Sequence, residues 1–229
     1  MPHGADALAA RLVWTRTAFS EYASAAAFAE IAAALLRAGA PIELSAAAGD
    51  FVVDEILHAE VAARIALALG GAVELHVDYD KLVRPPAGVD PLLRAAELIV
   101  RTSCVGESLT VPMLKLSRSL AGSPLIEAAL DRIVGDESSH AQFGWWFLDW
   151  ADDRLSDADR AYLATVAGDA VRAFAPLLGG DCVDSGLGVV ACDRYDPVFV
   201  SAVTEQVVAP LAERGITLPV TALAALTSR

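Results

Sequence analysis

The sequence predicts an all-α protein: a four-helix bundle of two antiparallel hairpins joined by a long crossover, with two additional C-terminal helices. Three observations carry this. Four long segments repeat apolar residues at helical spacing. Short breaks rich in glycine and proline join them in pairs, and a polar group, D-E-x-x-H, occurs twice, once in the second member of each pair.

The first helix is expected over Ala7 to Arg37, and Gly39-Ala-Pro41 ends it. The second follows over Pro41 to Leu69. Gly70 to Asp90 contains Gly70-Gly71, Pro85-Pro86 and a strand-like VELHVDY, and reads as a crossover connection. The third helix spans Pro91 to Leu120, and Gly122-Ser-Pro124 turns it into the fourth, Pro124 to Asp152. Breaks this short join antiparallel neighbours. Asp157 to Leu178 and Pro197 to Arg214 read as further helices, linked by a glycine-rich loop that holds Cys182 and Cys192. They are expected to pack on the outside. The whole chain, 1–229, then forms one domain, with a bundle core at 7–152 and a helical extension at 153–229.

Composition narrows the function classes. Of 229 residues, 55% are hydrophobic, yet Glu30 and Arg37 interrupt the alanine-rich Ala23 to Leu36, so no membrane span is expected. A net charge of −13 with no basic cluster repels a phosphate backbone, which sets nucleic acid aside. The N-terminus lacks a basic start followed by an apolar block, so the expected location is cytoplasmic. Cys104, Cys182 and Cys192 show no CxxC spacing and are expected as reduced thiols.

The doubled motif carries the chemistry. Residues three apart on a helix differ by about 60° around the axis and about 4.5 Å along it, so Glu55 with His58, and Glu137 with His140, each project from one face. A site for two metal ions needs one more carboxylate from the first helix of each hairpin. Antiparallel partners at one height lie equally far from their turn. Reflection of Glu55 through residue 39 lands near 23, and of Glu137 through residue 122 near 107, where Glu21 and Glu107 stand. Glu30 falls on the far side of its helix and is expected to face solvent. Glu97 sits about 15 Å further along its helix than Glu107, out of reach.

The inward faces then read Trp14, Thr17, Glu21, Ala25, Phe28; Phe51, Glu55, His58, Ala62, Ile65; Val100, Cys104, Glu107, Val111, Leu114; and Leu130, Ile133, Glu137, His140, Gly144, Phe147. Each is apolar except at one layer. Four carboxylates in a low-dielectric core cost several kcal/mol apiece unless cations neutralise them, and mixed oxygen and imidazole ligation suits iron or manganese. Asp54 and Asp136 are placed to accept hydrogen bonds from the ligand imidazoles, with Asp54 expected to serve His140 and Asp136 to serve His58.

The chain at this point resembles the ferritin-like di-iron carboxylate proteins. The resemblance covers Glu21 to about Trp150 and rests on Glu21, Asp54-Glu55-x-x-His58, Glu107 and Asp136-Glu137-x-x-His140. It implies two iron ions, with manganese or a mixed pair as alternatives, and activation of dioxygen by the reduced metals. No CxxC pair accompanies the motif, unlike rubrerythrin, and Ile133 stands where arylamine N-oxygenases carry a further histidine.

The expected activity is that of a dimetal oxidoreductase, an oxidase or oxygenase that hydroxylates, desaturates or N-oxygenates a small organic substrate. A ferroxidase or a manganese-catalase-like protein is the alternative. Electrons are expected from an external ferredoxin or reductase, and a homodimer is the ordinary expectation. Small residues at Ala18, Ala25, Ala62 and Gly144, with Val111, are candidates to line a substrate pocket, and they equally permit close helix packing. Pro112, five residues after Glu107, is expected to open the third helix near the site. Thr110 and Cys104 flank Glu107 and are candidate catalytic neighbours, although a buried cysteine is more often a packing residue.

Overall fold

A computed structural model describes residues 5–75, 90–174 and 185–219. Helix α1 (Ala5–Ala38) and helix α2 (Ile42–Ala68) form the first hairpin. The third rod is continuous but changes character along its length: α3 (Pro91–Ile99), a π-helical segment (Val100–Glu107) and α4 (Ser108–Ser119). Helix α5 (Pro124–Ala151) returns antiparallel to it. A 3₁₀ turn (Asp152–Arg154) leads into α6 (Asp157–Phe174), and the last rod comprises α7 (Cys192–Ala202), a second π segment (Val203–Val208) and α8 (Ala209–Glu213). No strand occurs among the described residues. Residues 73–75 of the strand-like stretch are irregular, and the rest of it lies outside the described residues, as do His3 and His76.

The helix starts follow local rules. The Asp90 carboxylate accepts from the backbone N–H groups of Leu92 and Leu93, and Pro91 supplies the first helical residue. Ser123 and Pro124 repeat this arrangement at α5, where the Ser123 hydroxyl accepts from Ile126. The last rod departs from expectation: it begins at Cys192, five residues before Pro197. Pro197 is the sixth residue of this helix and stands inside it, where it forgoes one backbone hydrogen bond, the one to the Asp193 carbonyl.

The four long rods pack in a ring. Helix α1 contacts α2 and α3, α2 contacts α5, and α5 contacts the π segment and α4. Two apolar clusters fill the interior. The larger includes Phe28, Ile31, Leu35, Phe51, Ile99, Phe143 and Phe147; the smaller includes Ala10, Trp14, Ala62, Ile65, Leu130 and Ile133. Between them every rod carries its acidic residue. Every expected inward-facing residue is buried apart from Thr17 and Leu114, which are half-buried.

Helix α6 lies against α3 and the π segment, while the last rod lies against α4. This outer layer buries Val105 and Leu109 on the side of the third rod that would otherwise face water. The loop before the last rod closes the other end of the bundle. Trp14 Nε1 donates to the Leu187 carbonyl at 2.7 Å, and Gly122 N–H donates to the Gly186 carbonyl at 2.7 Å. A side chain at Gly188 (φ +92°) would strike the Trp14 ring 2.8 Å away, so only glycine fits.

Three expectations change. Cys192 is disulfide-bonded, its partner lying outside the described residues, so of the two described cysteines only Cys104 is free. Glu30 is not solvated; it pairs with Arg94 at 2.9 Å, and Arg94 also holds Glu97 at 3.1 Å, which fastens α1 to α3. Over Asp6–Ala38, α1 is long and apolar enough to cross a bilayer by length and composition alone. Its buried Glu21 and its pairing with α2 and α3 are the features of a core helix.

Candidate metal centre

Glu21, Glu55, His58, Glu107, Glu137 and His140 are all buried, and the fold brings them together between the two apolar clusters. One ligand atom from each of Glu21, Glu55, His58 and Glu137 lies within 4.8 Å of the others, a group that could hold a metal ion. His140 joins them through Nδ1, which is 2.9 Å from Glu137 Oε2 and 3.0 Å from Glu55 Oε1. Glu107 joins electrostatically: its carboxyl is raised by burial and by the neighbouring charges of Glu137, Glu55 and Glu21.

Both histidines are oriented alike. His58 directs Nδ1 at Glu137 Oε1 (3.1 Å), and its Nε2 donates outward to Asp136 Oδ2 at 3.0 Å. His140 directs Nδ1 at the same cluster and Nε2 toward Asp54 Oδ2, 3.6 Å away and too far for a hydrogen bond. The cross-helix pairing of the two aspartates is therefore as the sequence suggests, made in one case and only approached in the other. Arg132 stands over both: its Nε reaches Asp136 at 2.7 Å and its terminal nitrogen lies 3.5 Å from Asp54. Sequence reading missed Arg132, although its position four residues before Asp136 on one helix was a usable signal.

His140 is held differently, by rings. Phe51 lies 4.2 Å and Phe28 5.2 Å from it between centroids, and both pack on Phe143. A face of aromatic rings confines the imidazole where the aspartate is distant.

The electrostatics are those of acids short of cations. Burial, and then the charges of Glu137 and Glu55, push Glu21 well above the ordinary carboxylate range; Glu107 is raised by burial and the same neighbours, with Glu21 added. Burial alone would lower His58, but the adjacent carboxylates of Glu137, Glu55 and Asp136 override that and lift it to about 11. His140 rises to about 9 against the same opposition, through Glu137 and Glu55. Glu137, despite its burial, falls to about 2 because both imidazoles lie against it, His140 hydrogen-bonded at 2.9 Å and His58 at 3.1 Å. Glu21, Glu107, His58 and His140 are thus shifted toward their protonated forms.

Protonation does not satisfy the cluster. Both oxygens of Glu55, Oε1 of Glu137, Nδ1 of His58 and Nε2 of His140 are buried without a well-formed hydrogen bond. Unpaired buried polar atoms are rare in folded proteins, and all of these except His140 Nε2, which faces Asp54, belong to a group that could hold a metal ion. Four carboxylates and two imidazole nitrogens match the donor set and charge of a pair of divalent ions.

Glu107 ends the π segment. The Ser108 N–H reaches back to the Ser103 carbonyl, five residues away, and the Ser108 hydroxyl donates to that same oxygen at 3.1 Å. The irregularity expected from Pro112 is present, as a widened turn upstream of the proline rather than a kink at it. π turns occur frequently at functional sites. Thr110 spends its hydroxyl on the Gly106 carbonyl at 3.0 Å, so it secures this turn and does not face the cluster through that bond.

The expected pocket residues divide. Ala25 and Ala62 are buried and Ala18 half-buried, while Val111 lies on the buried face of α4. Gly144 is a close-packing residue: a Cβ there would meet Cys104 Sγ at 2.6 Å and Ser103 Cβ at 3.0 Å, so no substrate space exists above it. Cys104 fills that contact, and burial pushes its thiol far up, which keeps it protonated and inert. A cleft lined by Pro112, Pro197, Val198, Ser201, Ala202, Glu205 and Gln206 opens between α4 and the last rod, without any of the six cluster residues on its walls.

The class defined by this fold and site is an all-helical bundle with a buried glutamate–histidine cluster that could bind metal. No family model matches the chain, and no curated protein or solved structure matches it.

Proposed function

We propose that this chain is a ferritin-like di-iron carboxylate oxygenase or oxidase, acting on a small organic substrate with dioxygen. The observation that carries the reading is the convergence of two symmetry-related Glu-x-x-His turns on one point. Their Nδ1 atoms and four carboxylates meet in a dry layer with several polar atoms left unpartnered. Glu21, Glu55, His58, Glu107, Glu137 and His140 would hold two metal ions there, and the reduced metals would supply electrons to dioxygen.

The chain's own groups do the rest. Glu55 and Glu137 lie against both histidines and would hold the metal together with them. Asp136 fixes the His58 tautomer, so that Nδ1 keeps its lone pair for the metal. The apolar clusters above and below exclude water, which protects a strong oxidant from wasteful reduction. The π turn gives Glu107 a backbone with fewer constraints, suited to a carboxylate that shifts its binding mode. Hydroxylation by this route consumes two further electrons and two protons to release the second oxygen atom as water, which an external ferredoxin or reductase would provide.

One observation favours a second reading. Neither the cleft between α4 and the last rod nor a second one, lined by Asp149, Asp152, Glu213 and Arg214, has a wall formed by the six cluster residues. A ferroxidase or a manganese-catalase-like protein needs no organic substrate beside the metals. The test is anaerobic loading with ferrous iron, followed by rapid mixing with dioxygen. Two irons per chain and a transient absorption that decays faster with an oxidisable substrate support the oxygenase. Ferric iron accumulation without substrate acceleration supports the ferroxidase, and oxygen evolution from peroxide by the manganese form supports the catalase. Failure to bind two metals rejects all three.

A further inference from the structure

Helix α2 is apolar on two opposite faces. One is inward: Leu44, Ala48, Phe51, Glu55, His58, Ala62 and Ile65. The other looks out. Ile42, Ala46, Gly49, Val53, Ile56, Glu60, Ala63 and Leu67 are all exposed, and their spacing alternates four, three, four, three along the full helix. That alternation is the heptad seam along which two helices pair. Ile42 is 77% exposed, Leu67 65%, Val53 61% and Ile56 45%, a large apolar area for water to cover. Helix α2 spends its packing on α1 and α5, so this seam has no partner within the described residues.

We propose that the seam binds a second copy of this chain, with two α2 helices crossing antiparallel about a two-fold axis beside Val53 and Ile56. The stripe is complementary to its own reverse. In that pairing Ile42 faces Leu67 of the other copy, Ala46 faces Ala63, Gly49 faces Glu60, and Val53 faces Ile56. Large residues meet at the ends and centre, small ones between them. The one charged seam residue, Glu60, falls opposite Gly49, where the missing side chain leaves it room. The flanking row agrees. Glu43 and Arg64 each lie one position beyond a seam residue, and the antiparallel alignment sets each beside the opposite charge on the other copy, once on each side of the axis. A parallel alignment instead sets Arg64 beside Ala59 and Asp50 beside Ser45 of the other copy, and brings no opposite charges together. In the antiparallel one Asp50 falls beside Leu57 and adds no like-charge contact. The two-fold requirement that one patch serve both partners is met by residues 42–67 alone.

The partner is fixed by this reciprocity. An apolar membrane surface would accept the stripe too, but would not require Glu43 and Arg64 to be matched, nor glycine opposite the single acid.

The test uses the full-length chain. Sedimentation over a concentration series should show a dimer for the native protein. The variant Val53→Glu, on an exposed position and so without effect on folding as read by circular dichroism, should raise the dissociation constant at least a hundredfold. Glu43→Arg alone should weaken the dimer roughly tenfold, and Glu43→Arg with Arg64→Glu should restore it. Mixing separately purified Val53→Cys and Ile56→Cys proteins under mild oxidation should link the two species to each other, more than either links to itself. A native monomer at all concentrations overturns the proposal. So does a dimer insensitive to Val53→Glu, self-linking of Val53→Cys in preference to the mixed product, or a monomer that instead floats with neutral lipid vesicles.

Discussion

The two D-E-x-x-H turns share the same three polar residues at the same spacing and are supported in different ways. On α2, His58 is held by a hydrogen bond to Asp136 on the neighbouring helix. On α5, His140 lies beyond hydrogen-bond reach of Asp54 and is confined by Phe51 and Phe28. The cause is their place along the bundle: His140 borders the larger apolar cluster, which offers rings, and Arg132 draws Asp136 close while standing further from Asp54. A repeated motif sets which atoms face the cluster. Its surroundings decide how firmly each is kept there.

Substitutions can separate the two forms of support. The largest effect is expected from Glu137→Ala, because Glu137 touches both imidazoles: metal content by elemental analysis should fall from two per chain to less than one. Glu107→Ala should lower it toward one, whereas Glu30→Gln should leave it unchanged, since Glu30 belongs to the pair with Arg94. Phe51→Ala removes the ring against His140 and leaves a cavity, with an expected loss of about 3 kcal/mol in urea unfolding of the metal-free protein. Asp136→Asn should weaken metal binding roughly 10–100-fold. Asp54→Asn should weaken it less, and equal effects would erase the contrast between the turns. Gly144→Ala should cost about 1–3 kcal/mol by crowding Cys104, with Cys104→Ala in the same chain recovering part of it.

Acidity offers a further check on the metal-free form. His58 and His140 are raised in the fold, so their stabilisation is complete below about pH 6.5 and is lost as pH climbs through about 9 and then about 11. Glu21 and Glu107, also raised, act in the same direction. Glu137 is lowered, so its contribution disappears only as pH falls from the ordinary carboxylate range toward about 2. The melting temperature of metal-free protein should therefore peak in mildly acidic buffer and decline on the alkaline side. Saturating manganese, which replaces those protons, should flatten the alkaline decline.

Much of the cluster was readable in advance because it follows from helix geometry. Two short turns fix the register of each hairpin, and reflection through them found Glu21 and Glu107 from Glu55 and Glu137. What escaped reading depended on contacts between distant segments. Pro112 announced an opening of the third rod but not its form, a π turn before Glu107 in which Ser108 bonds back to Ser103 beneath α6. Gly144 was legible as small but not as filled, since its neighbour Cys104 comes from another rod. The start of α7 was placed too late because Pro197 reads as a first-turn residue. The role of Gly188 required knowing that Trp14, far away in sequence, rests on it.

The outer helices also bear on what can be cut away. Helix α6 backs the very turn that presents Glu107, and the segment at 185–190 caps Trp14 at the opposite end. A protein trimmed after the 3₁₀ turn would keep every ligand yet lose the wall behind one and the plug beneath another. The first 152 residues are thus an unfinished vessel, and anyone transplanting this centre into a minimal scaffold would have to supply both closures anew.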